Sequence, residues 1–296
     1  MERTVTLLLL FALGLPGFAG ESNFLVRKRV SEVQMMLVAT DQHNRPVQNL
    51  SPADIMVLED GQPIPRFGLR SAADLPLRIA VVVDVSDSTL KAWTAIKATL
   101  APSLQAVMRP GDELLVVAFN NKVALEKMAF DPVELERLLA NPPAGGLTAL
   151  YDTVYQVCDR PLFRDELEPH RSAVILFSDG EDDLSIRSLN DAIARAQRRG
   201  VSIYTVASHD PKKQSRGDAV LRDLASTTGG RDYIVKNSGQ LGTALAAINE
   251  ELRSSYLLYY RVPEETGKQV FRRVRVISTP GRGSQLRSRA GYFTAP

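Results

Sequence analysis

A carboxylate and two hydroxyls recur at every second position in the segment Asp84-Val85-Ser86-Asp87-Ser88. This segment ends the apolar run Ile79 to Val83, whose composition predicts a buried strand. Hard oxygens of this kind suit Mg²⁺ or Mn²⁺, provided that further ligands come from elsewhere in the chain. The same residues also fit a solvated turn with a serine N-cap for the helix that follows. The rest of the sequence has to decide between a metal site and a turn.

Two other loops offer oxygens of the same kind. A second apolar run, Ala173–Phe177, leads into Ser178-Asp179-Gly180, and Gly145-Gly146-Leu147 places the hydroxyl of Thr148 just before a predicted helix. In an open α/β sheet, ligands bind at the carboxyl ends of the strands. The sequence therefore predicts that two carboxylates and three hydroxyls meet at one sheet edge. The candidate ligands are Asp84, Ser86, Ser88, Thr148 and Asp179.

Apolar, β-branched runs alternate with amphipathic stretches of helix length between residues 76 and 253. Strands without polar alternation, separated by helices, are typical of a parallel sheet covered on both faces. This pattern predicts a doubly wound α/β domain. Its predicted strands are Ile79–Asp84, Glu113–Phe119, Ala173–Phe177 and Val201–Ala207. Its predicted helices lie near Leu90–Met108, Pro132–Ala140, Ala149–Cys158, Ile186–Arg199, Ala219–Thr227 and Ser238–Leu252.

The flanking segments indicate antiparallel β-structure. Residues 24–75 contain short apolar stretches and a hairpin signal at Asp60-Gly61. Residues 254–296 contain three predicted strands, Tyr256–Val262, Val270–Ile277 and Leu286–Phe293. Three strands alone make a poor core, so we expect them to join the N-terminal strands in one small β-sandwich, with the α/β domain inserted between.

Composition is that of a soluble globular protein, with 44% hydrophobic and 24% charged residues. The net charge of +2 gives no reason to propose nucleic acid or a membrane surface as a partner. Residues 1–19 are typical of a signal peptide, with Arg3 before an apolar stretch and cleavage expected after Ala19. The mature protein is therefore expected to be exported, either to the periplasm or into the medium. Cys158 is the only cysteine, which excludes an internal disulfide and predicts a buried structural thiol.

The five candidate ligands resemble the metal-ion-dependent adhesion site of von Willebrand factor type A (VWA) domains and match all five of its positions. Their order in the chain, their placement at strand ends and the glycine-rich segment before Thr148 also agree. The flanks resemble the N- and C-terminal modules of exported bacterial VWA-related proteins. This second resemblance rests on Leu58-Glu59-Asp60-Gly61-Gln62-Pro63 and Arg289-Ala290-Gly291-Tyr292-Phe293, among other segments.

The resemblance implies a role for each candidate ligand. Ser86 and Ser88 would bind the divalent cation directly, and Thr148 would do so directly or through water. Asp84 and Asp179 would act mostly through water and orient the hydroxyls. An open coordination position would take an acidic side chain of a partner protein. The implied metal is Mg²⁺, with Mn²⁺ or Ca²⁺ as alternatives.

These features favour a non-enzymatic protein-binding or adhesion module. The alternatives are an Mg²⁺-dependent hydrolase and a scaffold whose metal is purely structural. The sequence has no Gly-x-Ser-x-Gly elbow, no P-loop lysine motif and no His-Glu-x-x-His pair, so we expect no catalytic residues.

Three acidic or motif-like segments remain open to interpretation. Asp87 stands where many type A domains have glycine, and it adds negative charge close to the site. Glu181-Asp182-Asp183 is interpreted as a solvated acidic loop before the Ile186–Arg199 helix, although Ca²⁺ would be favoured if one of these were a ligand. Arg216-Gly217-Asp218 spells an integrin-binding tripeptide, but its place at a predicted helix start indicates a chance match.

Overall fold

A computed structural model describes residues 30–89, 99–104, 108–128, 145–164, 169–209, 215–263, 269–281 and 283–294. The predicted signal peptide, the helix Pro132–Ala140 and most of the helix Leu90–Met108 lie outside the described residues. Residues 99–104 of that last helix are helical. Among the described helices, none combines the length and the hydropathy of a membrane-spanning segment.

The described residues form fourteen strands and four α-helices with described bounds. The strands are β1 (Val30–Thr40), β2 (Ile55–Glu59), β3 (Gln62–Pro63), β4 (Gly68–Ser71), β5 (Leu77–Asp84), β6 (Glu113–Phe119), β7 (Val123–Met128), β8 (Arg171–Phe177), β9 (Ser202–Ser208), β10 (Asp232–Val235), β11 (Tyr256–Pro263), β12 (Phe271–Ser278), β13 (Gln285–Arg287) and β14 (Gly291–Phe293). The α-helices with described bounds are α1 (Leu150–Cys158), α2 (Leu189–Arg198), α3 (Arg216–Thr228) and α4 (Ser238–Arg253).

The central sheet has the strand order β10-β9-β8-β5-β6-β7. Its first five strands are parallel, and β7 runs antiparallel to β6 at one edge. Every residue of β8 is buried, as are seven of the eight residues of β5, because helices cover both faces of the sheet. The apolar core on one face includes residues of α4, and the core on the other includes residues of α1, α2 and α3. The predicted doubly wound α/β architecture is confirmed.

The N- and C-terminal strands form two four-stranded antiparallel sheets, with the orders β13-β1-β11-β4 and β14-β12-β2-β3. They share one apolar core, to which β1 contributes Met35 and Leu37, β2 contributes Val57, and β11 contributes Leu258. Each sheet mixes strands from both ends of the chain. The predicted β-sandwich that flanks the α/β domain is therefore present.

The predicted single strand Leu286–Phe293 is wrong. The segment forms two short strands that belong to different sheets, since β13 pairs with β1 and β14 pairs with β12. Between them the backbone N–H of Ala290 donates to the Thr227 carbonyl of α3 at 2.9 Å. This contact with the α/β domain takes the chain out of the first sheet before it enters the second.

Cys158 is fully buried on α1, as the sequence predicts. Burial raises the pKa of its thiol to about 12, although the positive charge of Arg195 opposes the shift. The thiolate is therefore negligible at neutral pH, which makes this cysteine a packing residue.

Candidate metal site

Asp84 is held at the carboxyl end of β5 by hydrogen bonds to both of its carboxylate oxygens. Its side chain is buried, with 1% of the residue exposed. Oδ1 accepts the backbone N–H of Ser86 at 3.0 Å, and Oδ2 accepts the Ser178 hydroxyl at 2.8 Å. The Thr89 hydroxyl donates to the Asp84 backbone carbonyl at 2.8 Å. The carboxylate is thus fixed in orientation by the strand end and by the neighbouring loop.

The two serine hydroxyls predicted as direct ligands lie side by side. Ser86 Oγ and Ser88 Oγ are 3.3 Å apart, with Ser86 buried and Ser88 exposed. Two adjacent ligands of an octahedral Mg²⁺ with bonds of about 2.0–2.1 Å are about 3 Å apart. The pair therefore fits one hard cation with little rearrangement, and its exposed member lies on the solvent side.

Hydrogen bonds join the three predicted loops in every pairwise combination. The loop after β5 contacts the glycine loop through Asp87 N–H to the Gly146 carbonyl at 3.1 Å. The glycine loop contacts the loop after β8 through Thr148 N–H to Asp183 Oδ2 at 3.0 Å. The Ser178 to Asp84 bond joins the first and third loops. All five predicted site residues consequently lie on one connected set of loops, with Thr148 buried and Asp179 half-buried.

Glycine is required where the second loop turns. Gly145 and Gly146 have φ values of +97° and +91°, in the left-handed region that residues with a Cβ rarely adopt. Gly145 N–H donates to the Val85 carbonyl at 2.7 Å. A Cβ on Gly145 would meet Asp87 Oδ1 at 3.1 Å. The Gly-Gly pair therefore lets the chain pass close to the first loop and bring Thr148 to the sheet edge.

Asp84 is a buried carboxylate without a positive partner among the described residues. Burial raises its pKa above the usual range, hydrogen bonds from Ser86 and Ser178 oppose that shift, and the negative charge of Asp179 adds to it. A buried ionised carboxylate is costly unless a cation or enough hydrogen bonds compensate it. The electrostatics at this edge therefore favour a cation.

The donor set relies on hydroxyls. Within the described ranges no group of three or more His, Cys, Asp or Glu side chains could hold a metal ion. The candidate site would instead bind a hard cation through Ser and Thr oxygens, with the carboxylates behind them. This is the donor chemistry of Mg²⁺ or Mn²⁺ and not of a soft metal. The chemistry of the candidate ligands therefore fits the divalent cation that the resemblance to VWA domains implies.

The acidic run after Asp179 lies in a loop with Glu181 and Asp183 exposed, as predicted, but its carboxylates contact α1 and not the helix that follows. Asp182 Oδ1 accepts the backbone N–H groups of Leu150 and Tyr151, at 2.7 and 3.2 Å, and Asp183 accepts that of Thr148. Asp182 therefore caps the N-terminus of α1, and Asp183 holds Thr148 two residues before it, whereas the helix that follows the run is capped by Ser188. Their engagement with α1 removes the reason to invoke them as Ca²⁺ ligands.

Three positioning residues escaped the sequence analysis. Ser178 and Thr89 hold Asp84, and Asp182 fixes the start of α1 two residues after Thr148. A signal existed for Ser178, since it is the first hydroxyl after a buried strand and directly precedes Asp179. The tripeptide Arg216-Gly217-Asp218 opens α3 as predicted, and its Gly217 and Asp218 are buried.

The sheet, its strand order and the loops at its carboxyl edge define a VWA domain. A family model described as "VWA domain containing CoxE-like protein" matches residues 57–228, more than half of the chain, and includes all five site residues. The chain belongs to this family.

Solved structures with similar folds have low sequence identity. Proximal thread matrix protein 1 from the mussel byssus is 15% identical with a TM-score of 0.48, over 72% of this chain and 51% of that one. The same mussel protein "with zinc occupied MIDAS motif" is 16% identical with a TM-score of 0.48, over 68% and 50% of the two chains. BatB from Bacteroides thetaiotaomicron is 15% identical with a TM-score of 0.46, over 60% of this chain and 100% of that one. This chain thus spans about half the length of the mussel protein. A search of curated proteins gives no match.

Proposed function

We propose that this chain is an exported, non-enzymatic protein-binding module that uses a divalent cation to hold an acidic residue of a partner protein. Ser86, Ser88 and Thr148 would hold the cation through their hydroxyls. Asp84 and Asp179 would orient those hydroxyls and the waters of the site. When bound, the cation supplies a positive Lewis-acidic centre to which a carboxylate oxygen can bind.

The buried carboxylate of Asp84 is the observation that carries this proposal. It lies between two strand ends, accepts hydrogen bonds at both oxygens, and has no cationic side chain beside it in the described part of the chain. The exposed hydroxyl of Ser88 lies on the outer side of the same loop. A cation placed against these groups would compensate a buried charge and still face solvent, where a partner can reach it.

The hydrogen bonds between the loops weigh against a purely structural metal. Ser178, Gly146 and Asp183 already connect the three loops through protein atoms alone. A structural metal contributes its binding free energy to folding, so the fold depends on it. We therefore expect the fold to persist without the cation, and the cation to serve binding.

The hydroxyls lack the surroundings of a catalytic nucleophile. The Ser86 hydroxyl pairs with those of Ser88 and Thr89, and the Thr89 hydroxyl donates to Asp84. Within the described ranges no histidine or lysine hydrogen-bonds to these three hydroxyls. Nucleophilic catalysis needs a hydroxyl with a base poised to take its proton. This supports the non-enzymatic proposal over a hydrolase. Mg²⁺ is the cation proposed, since the donor set is made of hard oxygens.

The test combines metal binding with partner capture. Mature protein should bind Mn²⁺ or Mg²⁺ in a calorimetric titration, and Ser86→Ala should reduce that affinity at unchanged thermal stability. The same protein should capture a partner from its own cell envelope in Mg²⁺ but not in EDTA. A captured protein that is insensitive to both EDTA and Ser86→Ala would overturn the proposal.

A further inference from the structure

Three large apolar side chains are exposed on the loops that flank the candidate metal site. Leu147 is 54% exposed, Leu184 is 45% exposed and Ile186 is 94% exposed. The other exposed large apolar residues in the described ranges are Met56, Val270 and Phe271, all in or beside the sandwich. Single exposed apolar residues are normal, but these three lie on two loops that hydrogen-bond to each other. We call Leu147, Leu184 and Ile186 the apolar rim.

The apolar rim is fixed in place by backbone hydrogen bonds. The N–H groups of Asp183 and Leu184 both donate to the Thr148 carbonyl, at 2.9 and 3.0 Å. Ile186 N–H donates to Asp152 Oδ2 of α1 at 3.1 Å. Leu147 directly precedes Thr148 in the chain. The rim is therefore a preorganised surface beside a predicted metal ligand, and binding to it would cost little loop ordering.

The charges around the site favour one kind of occupant. Asp87 and Glu181 are exposed acidic residues on the loops that carry Ser88 and Asp179. Arg187, the cation nearest the rim in sequence, is paired with Asp152 at 3.1 Å and lies over the Tyr155 ring. A partner with several carboxylates would be repelled here, because only one of them can be compensated by the cation.

We infer that this face selects a partner segment in which a single acidic residue is flanked by aliphatic side chains. The acidic residue would bind the cation, and the aliphatic side chains would cover Leu147, Leu184 and Ile186. This inference rests on the proposed function and adds the chemistry of the partner to it. Discrimination comes from burial of apolar area beside the metal and from repulsion of second carboxylates by Asp87 and Glu181.

Model peptides test the inference on the full mature protein. Metal loading is measured first by calorimetry with Mg²⁺ alone. Acetylated Gly-Leu-Asp-Leu-Gly, Gly-Ser-Asp-Ser-Gly and Gly-Leu-Asn-Leu-Gly amides are then titrated in Mg²⁺ and in EDTA, with binding followed by NMR shifts. We expect the Leu-Asp-Leu peptide to bind roughly tenfold more tightly than the Ser-Asp-Ser peptide, which corresponds to burial of about 55 Å² of apolar area. The Leu-Asn-Leu peptide should not bind.

Variants assign the preference to the rim. The double variant Leu184→Ser with Ile186→Ser should keep its Mg²⁺ affinity and lose the tenfold preference. The matched control Met56→Ser with Val270→Ser alters two exposed apolar residues of the sandwich region and should keep the preference.

Each other outcome has a distinct meaning. Equal, metal-dependent binding of both aspartate peptides would overturn the inference and leave the proposed function standing. Failure of every peptide to bind the metal-loaded protein would overturn both. A concentration-dependent dimer that Leu184→Ser with Ile186→Ser dissociates would show that a second copy covers the rim, which also overturns the inference.

Discussion

Replacing Ser178 by alanine tests whether the hydrogen bonds to Asp84 position the metal site. The Ser178 hydroxyl donates to Asp84 Oδ2 at 2.8 Å and accepts the Gly180 N–H at 3.1 Å, so it joins the two carboxylate-bearing loops. Loss of a partner that orients metal-site groups typically weakens metal affinity about 10–100-fold, or about 1.4–2.8 kcal/mol. We expect that loss for Mg²⁺ and Mn²⁺ in Ser178→Ala. In metal-free protein the free energy of unfolding should fall by about 1–3 kcal/mol, because a buried carboxylate loses a donor.

A second serine, at the opposite end of β8, provides the control. Ser172 and Ser178 are each 4% exposed, and Ser172 lies near the start of β8 whereas Ser178 follows its end. The Ser172 hydroxyl has no hydrogen-bond partner in the described part of the chain. Ser172→Ala should therefore leave the metal dissociation constant within about twofold of the parent. Calorimetric titration with Mn²⁺ and urea unfolding in EDTA measure the two effects. If Ser178→Ala binds Mn²⁺ as the parent does, or if both variants lose affinity equally, Ser178 does not position the site.

Three further predictions concern the support of the site, its pH dependence and the thiol. A Cβ at Gly217 would lie 1.9 Å from the Asp179 carbonyl oxygen, so Gly217→Ala should displace that loop and weaken Mn²⁺ binding in the same titration at least as much as Ser178→Ala. Burial alone would raise the pKa of Asp112, but hydrogen bonds from Arg253 and from backbone N–H groups hold it below its ordinary value of 3.8. The ionised Asp112 carboxylate therefore stabilises the fold at pH values above 3.8, and this stabilisation is lost as the pH falls and the carboxylate is protonated. Asp112→Asn should lower the free energy of unfolding in urea by about 3–5 kcal/mol at pH 7. The difference from the parent protein should shrink below about pH 4. Cys158 should resist Ellman's reagent in native protein and react fully in urea, because it is buried and its thiol pKa is about 12; rapid native labelling would contradict the packing.

The positions of the site residues could be predicted because each lies at a boundary that sequence marks well. Long apolar runs fix where β5 and β8 end, which places Asp84 and Asp179, and the Gly145-Gly146 pair marks the turn before Thr148. The residues that hold the candidate ligands could not be predicted. A hydrogen bond such as that between Ser178 and Asp84 depends on loop paths and side-chain rotamers, which no sequence periodicity encodes. The α1 cap by Asp182 is of the same kind: it joins residues 32 positions apart.

Two strands of the central sheet escaped prediction for related reasons. The β7 strand lies at an edge and carries Glu126 and Lys127, so it lacks the unbroken apolar run of its buried neighbours. At the other edge, β10 has only four residues and one fully buried position, Val235. Edge strands bury less surface than central ones, which leaves their sequences less constrained and their patterns weaker.

The way the sandwich is attached explains why the candidate site remains accessible. Arg171, 1% exposed at the start of β8, donates to the Leu75 carbonyl, where the chain enters the α/β domain, and to the Leu252 carbonyl at 2.7 Å, where it leaves. Both crossings therefore lie at the amino edge of the sheet. Asp84 lies at the opposite end of the eight-residue strand β5, about 23 Å away at 3.3 Å per residue. Both connections to the sandwich therefore use the amino edge, and the described residues at the carboxyl edge belong to the loops of the α/β domain itself. We therefore expect that the proposed partner could reach the candidate ligands and the apolar rim without displacing the sandwich.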